Sequence, residues 1–228
     1  MKSPEKILNE ARLISEEQAN NDFSSRRKRR RQVDIEQVIK RAGIPKRFES
    51  RSFDDYRPLS VGCQRALDDC RAYAGAFESI MLPRGACLIL TGNPGTGKTH
   101  LACAVLSHVM RNGYSGLFIT VSDMLRTIRS TYNPSSQMTE QEVYDRYISA
   151  DLLVLDEVGL SIGKDSVREV LIFDVLNGRY SAVKPTIILG NLMPDKMRDY
   201  LGFRVWDRLQ ENNAPLVVFD WESYRSNG

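Results

Sequence analysis

The stretch Gly92-Asn93-Pro94-Gly95-Thr96-Gly97-Lys98-Thr99 constrains this chain more than any other, because it demands a particular backbone at a particular place. It follows the apolar run ACLILT (86–91) and leads into a segment of helical character from 98 to about 112, which Gly113 can terminate. Glycines there let successive backbone N–H groups curl around an anion, and a helix starting at the same point aims its positive end at the same charge. In that setting Lys98 adds a point charge for the β and γ phosphates of a nucleotide, and Thr99 offers a hydroxyl to Mg²⁺. An ordinary glycine turn would need neither the strand before it nor the helix after it.

The rest of the chain alternates to match. LFITV (117–121), LLVLDE (152–157), TIILGN (186–191) and LVVFD (216–220) read as strands, and a helix is expected over about 64–77. Strands that are continuous apolar runs, separated by helices, indicate a parallel sheet covered on both faces. The expected fold is α/β, a three-layer αβα sandwich. The second half of a phosphate site is an acidic pair leaving the end of a hydrophobic strand, and LLVLDEVG supplies Asp156 and Glu157. Asp156 is the candidate Mg²⁺ ligand, through water, and Glu157 the candidate base that orients or deprotonates the attacking water. Adjacent strand residues face opposite ways, so the pair must sit where the backbone turns, as Gly159 suggests. Asn191, at the end of TIILGN, is placed either to reach that water or the γ-phosphate, or to cap a helix or turn.

With 228 residues and 42% of them hydrophobic, the chain can bury one ordinary core. No apolar run approaches the roughly 18 residues that a membrane span requires, and the charged start lacks an export signal's hydrophobic centre, so a cytoplasmic address is expected. Cys63, Cys70, Cys87 and Cys103 form no CxxC pair and read as free thiols. His100 and His108 lack the company of a catalytic triad and are expected on a helix surface. Net charge is +3, but residues 1–48 hold 13 Lys/Arg against 7 Asp/Glu. The excess centres on six consecutive cations, Arg26 to Arg31, which read as a solvated linker unless something acidic is nearby. Before them, Ser3 and Pro4 can open a short amphipathic helix carrying Ile7, Leu8, Ala11 and Ile14 on one face.

Taken in order and at their spacings, GNPGTGKTHLA, LLVLDEVG, TIILGN, FRVWDRL and VVFDWESYRS resemble the AAA+ P-loop ATPases. Within them they are most similar to bacterial replicative-helicase loaders of the DnaC type and the related IstB-type transposition ATPases, over roughly residues 44–226. The resemblance implies an ATPase using ATP and Mg²⁺. Its nucleotide-binding set is Gly92, Asn93, Pro94, Gly95, Thr96, Gly97, Lys98, Thr99, His100, Asp156 and Arg225, with Thr99 and Asp156 at the metal. Its catalytic set is Lys98, Glu157, Asn191 as γ-phosphate sensor, and Arg208 as an arginine finger acting on a neighbouring subunit's ATP, with Arg204 one turn earlier. A finger implies an ATP-dependent homo-oligomer; surface pairing of these arginines with Asp207 or Glu211 is the alternative. Arg225 is similar to the family's second sensor. Only 37 residues follow Asn191, too few for a separate C-terminal lid domain.

The implied organisation is an N-terminal helical and basic arm for partner binding (1–48) and an AAA+ ATPase domain (49–228). The implied function is an ATP-dependent loader that binds a hexameric replicative DNA helicase and places it on single-stranded DNA as replication starts, a primosome role in which hydrolysis drives release. No membrane partner is expected. The segment 124–147 occupies the family's DNA-lining insertion, where Arg126, Arg129 and Tyr132 either contact single-stranded DNA or merely decorate a helix. Two other readings exist. One is an IstB-type ATPase that binds DNA and recruits a transposase, the basic run being its DNA contact; Asp156-Glu157 in place of two aspartates, and the VFDWESYRS ending, favour the loader. The other is a module that holds ATP without turnover, which Glu157 and Arg208 together argue against.

Overall fold

The computed structural model describes residues 37, 39, 41–160, 166–211 and 214–224. The expected arm helix, the run Arg26 to Arg31, and Arg225 lie outside them.

Among the described residues five strands follow the apolar runs closely: β1 (Leu88–Gly92), β2 (Gly116–Thr120), β3 (Leu152–Val158), β4 (Thr186–Gly190) and β5 (Leu216–Phe219). They form one sheet in the order β2-β3-β4-β1-β5, with every neighbouring pair parallel. Parallel neighbours need a crossover, and the helices supply it: α1 (Val61–Gly75) ahead of the sheet, then α2 (Lys98–Arg111), α3 (Val121–Ser130), α4 (Glu140–Ser149), α5 (Ser166–Ser181), α6 (Pro194–Leu201) and α7 (Phe203–Gln210). A π-helical turn over Phe77–Met81 links α1 to a short helical turn before β1.

Strand side chains alternate between faces, and both faces here are apolar, which is why the runs are continuous rather than alternating. Leu88, Leu90, Leu152, Val154, Ile187 and Leu189 point into one core with α1 and α2. Ile89, Leu153, Leu155 and Ile188 point into the other with α3 to α7. The result is the expected three-layer sandwich. All four cysteines are free and buried. Ile39, Ala42 and Ile44, counted with the arm in the sequence reading, pack into the first core, and the Ala42 carbonyl accepts a 2.7 Å bond from the Phe118 N–H. Among the described residues no helix is long and apolar enough to cross a membrane.

A buried guanidinium locks the far end of the sheet. Arg179 of α5 is fully buried and donates to the carbonyls of Tyr147, Ile148, Ala150 and Pro185 and to Thr186 Oγ1, at 2.6–3.2 Å. It satisfies the open C-terminal carbonyls of α4 while tying that helix to the start of β4.

Candidate nucleotide site

Because β1 lies beside β4, and β4 beside β3, the C-terminal ends of these three strands bring the glycine loop, Asn191 and Asp156-Glu157 to one edge of the sheet. There a cleft of about 500 Å³ is lined by residues 94–100, Asp156, Glu157 and Asn191 from the expected set. His100 lies on its wall, with Nε2 2.8 Å from the Ser52 carbonyl and its ring edge-on to Tyr56.

The loop has the features an anion needs. Helix α2 starts at Gly97 (φ 96°) without a side-chain cap, so the N–H groups of its first turn keep their outward donors. The Lys98 ammonium folds back onto the loop, donating to the carbonyls of Gly92 (2.9 Å) and Asn93 (2.6 Å). Burial pulls its pKa down to about 8, against a weaker opposing pull from the Asp156 charge. Desolvated, ringed by carbonyls and carrying no carboxylate in direct contact, this cation suits a polyphosphate.

On the other wall, Thr99 Oγ1 donates to Asp156 Oδ2 at 3.0 Å. Burial raises the Asp156 pKa, offset in part by that bond, by the N–H of Glu157 and by Lys98. No cluster of three or more His, Cys, Asp or Glu among the described residues would hold a metal unaided. One hydroxyl and one carboxylate nevertheless fit Mg²⁺, which typically takes one or two carboxylates and completes its shell with phosphate oxygens and water.

The acidic pair occupies an irregular stretch. The β3–β4 register shifts between Leu155 and Val158, and Glu157 adopts φ 61°, with its N–H bonded to Asp156 Oδ1 at 2.7 Å. The turn expected after the strand is thus a bulge inside it. The Glu157 pKa is raised by desolvation and by the charges of Asp156 and Asp123.

Sequence reading missed the aromatic collar around the loop. Tyr56 Oη and Trp221 Nε1 both donate to the Thr96 carbonyl at 3.2 Å, and the Tyr224 N–H donates to the Gly95 carbonyl at 3.0 Å. Asn93 Nδ2 reaches the carbonyls of Asp220 (3.1 Å) and Trp221 (3.3 Å). Arg47, Phe48, Arg51, Asp55, Tyr56 and Arg57 add a further wall to the cleft from the connector ahead of α1. The aromatic content of that connector was the available signal.

Arg208 is not in this cleft. It sits on α7, its Nη1 donating to Asn177 Oδ1 and its guanidinium 4.9 Å from the Tyr180 ring centroid. It lines a separate cavity of about 280 Å³ together with Arg84, Cys87, Lys184 and Thr186. Cys87 precedes β1 whereas the glycine loop follows it, so the two cavities lie roughly one strand length apart, about 16 Å. In the segment after β2, Arg126 pairs with Asp123 at 2.7 Å, and Tyr132 is exposed.

A five-stranded parallel sheet in this order, with a glycine loop, an acidic pair and a polar strand end meeting at one edge, defines a P-loop nucleotide-binding domain of the AAA+ type. The model of the family described as IstB-like ATP binding protein matches residues 12–225, and the chain belongs to that family. The replicative helicase loader DnaC of Buchnera aphidicola subsp. Baizongia pistaciae is 31% identical over 222 residues, 96% of this chain and 88% of that protein. The replicative helicase loader DnaC of Escherichia coli K12 is 35% identical over 196 residues, 86% and 78% of the two chains. Among solved structures, the DnaC helicase loader superposes with a TM-score of 0.67 at 26% identity, covering 77% of this chain and all of that one.

Proposed function

We propose that this protein is an ATP-dependent loader that binds a hexameric replicative DNA helicase and helps place it on single-stranded DNA, with ATP hydrolysis driving release. The observation that carries the reading is likeness along nearly the whole chain to proteins named replicative helicase loaders, at 31–35% identity. The IstB-type alternative, recruitment of a transposase to DNA, is less supported: the family model carries that name, but the relatives at 31–35% identity over most of the chain are named replicative helicase loaders.

In this reading the backbone of residues 92–99 and the Lys98 ammonium hold the β and γ phosphates, exchanging the loop carbonyls of Gly92 and Asn93 for phosphate oxygens. Thr99 and Asp156 hold Mg²⁺, which supplies Lewis-acid neutralisation of developing phosphate charge when bound. Glu157 takes a proton from the attacking water. Its raised pKa suits that task, since a base poised nearer neutrality accepts the proton more readily. Asn191, exposed at the end of β4 on the cleft wall, senses the γ-phosphate. The placement of Arg208 about a strand length from its own cleft supports action on a neighbouring protomer's ATP, and hence an ATP-dependent homo-oligomer. Arg225 as second sensor, and as helicase-binding arm the part of residues 1–48 that precedes the core-packed Ile39, Ala42 and Ile44, complete the proposal.

The test incubates the full chain with a replicative helicase, a transposase, or both, with ATP, and measures co-elution and transfer to single-stranded DNA. Helicase capture and ATP-dependent deposition are expected. Capture of the transposase alone, with duplex DNA coating, would overturn the assignment in favour of the transposition role.

A further inference from the structure

Three residues of α5, Phe173, Asn177 and Tyr180, stand at spacings of four and three, and so share one helical face beneath α7. Arg208 lies across that face. Its Nη1 donates to Asn177 Oδ1, its Cζ is 4.9 Å from the Tyr180 centroid, and it is 6.0 Å from that of Phe173. A free arginine side chain samples many rotamers, and ordering it costs free energy in whatever complex it joins. Here part of that freedom is already spent: the Tyr180 ring holds the guanidinium carbon against the face of α5, and the Asn177 amide holds one of its nitrogens. The amide takes one of five N–H donors, so the others stay available for phosphate oxygens.

We propose that Tyr180 and Asn177 are positioning residues that pre-set the Arg208 guanidinium for the ATP of the adjoining protomer. The inference rests on the reading of Arg208 as a trans-acting finger. The clamp works at a distance from its own cleft: Asn177, Tyr180 and Arg208 line the 280 Å³ cavity at the opposite end of the sheet from the glycine loop. Altering it therefore changes the rate at a neighbour's site and leaves the altered subunit's own cradle untouched. Neither residue touches the nucleotide.

The experiment compares Tyr180→Leu, Tyr180→Phe, Asn177→Ala and Arg208→Ala in the full chain, with steady-state turnover, nucleotide affinity and self-assembly measured in parallel. Tyr180→Leu and Asn177→Ala should each lower kcat about 10-fold, as expected for a misplaced catalytic group, with KM and nucleotide Kd unchanged. Tyr180→Phe keeps the ring and should restore kcat. Mixed with Glu157→Gln subunits, which carry an intact clamp and a dead cradle, Tyr180→Leu subunits should regain turnover, because their own cradles then face a correctly set finger. Unchanged or raised kcat in Tyr180→Leu, with Arg208→Ala inactive, overturns the clamp and leaves the finger standing. Full turnover by Arg208→Ala removes the finger reading itself. A folding defect would lower nucleotide affinity and would not be relieved by mixing.

Discussion

Lys98 permits a quantitative test of the nucleotide cradle. Its pKa of about 8 comes from burial among loop carbonyls, well below the ordinary 10.5. A bound polyphosphate supplies anionic oxygens and holds the amine protonated, so above pH 8 binding must draw in a proton. With that pKa, the free protein carries neutral lysine in about half its molecules at pH 8 and about nine-tenths at pH 9. Uptake should therefore rise from about 0.5 to about 0.9 proton per ATP, and Kd should weaken about tenfold between pH 7 and pH 9. The terminal phosphate of ATP is already ionised in this window and adds no uptake of its own. Calorimetry in buffers of different ionisation enthalpy measures the uptake directly. Because Asp156 is the group holding the Lys98 pKa up, Asp156→Asn studied in EDTA should move the inflection to lower pH. The same shift fixes a sign for folding. Between about pH 8 and 10.5 the unfolded chain binds more protons than the folded one at this residue, so the free protein's stability should rise with pH there as far as Lys98 is concerned. A Kd flat within twofold from pH 7 to 9.5, with no buffer-dependent heat, would refute the reasoning.

Arg179→Ala should cost about 3–5 kcal/mol of stability in urea denaturation, because it strands four carbonyls that Arg179 now satisfies; Arg179→Lys should not rescue it, and a loss under about 1 kcal/mol would count against the lock. Gly97→Ala should lower both stability and ATP affinity, since φ 96° is strained for alanine and its methyl would lie 2.5 Å from Tyr56 Cε2; wild-type affinity by calorimetry would contradict the collar. Thr99→Val should abolish most of the gain in ATP affinity that Mg²⁺ gives the native chain, read as the ratio of Kd with and without EDTA, and an unchanged ratio would move the metal elsewhere.

What the sequence made legible was whatever depends on local pattern. The strands are readable because β1 and β4 are buried along their whole length, and only a sheet covered on both faces makes runs of that kind. The glycine loop and acidic pair are readable because phosphate chemistry repeats short spacings. The collar is not, because Tyr56 and Trp221 meet Thr96 across 40 and 125 residues, and no period links them. Nor is the burial of Ile39, Ala42 and Ile44, which flank a charged stretch whose composition suggests solvent. The placement of Arg208 on the α5 face is also invisible in FRVWDRL alone, since its partners come from another helix.

Glu157 shows how a local departure from regular structure makes the site. In an unbroken strand Asp156 and Glu157 would project from opposite faces of the sheet, one toward α2 and one into the second core. The register shift after Leu155 and the left-handed backbone at Glu157 bring both carboxylates to the same cleft. A non-glycine residue at φ 61° costs on the order of 1–3 kcal/mol. Asp156 itself offsets part of it by accepting the Glu157 N–H at 2.7 Å, so the residue that would hold the metal also holds its neighbour's backbone in the strained form. That coupling explains why the pair is adjacent in sequence. A carboxylate one position further along would take the place of Val158, which is buried in the second core, whereas at Glu157 it is within the bulge and on the cleft wall.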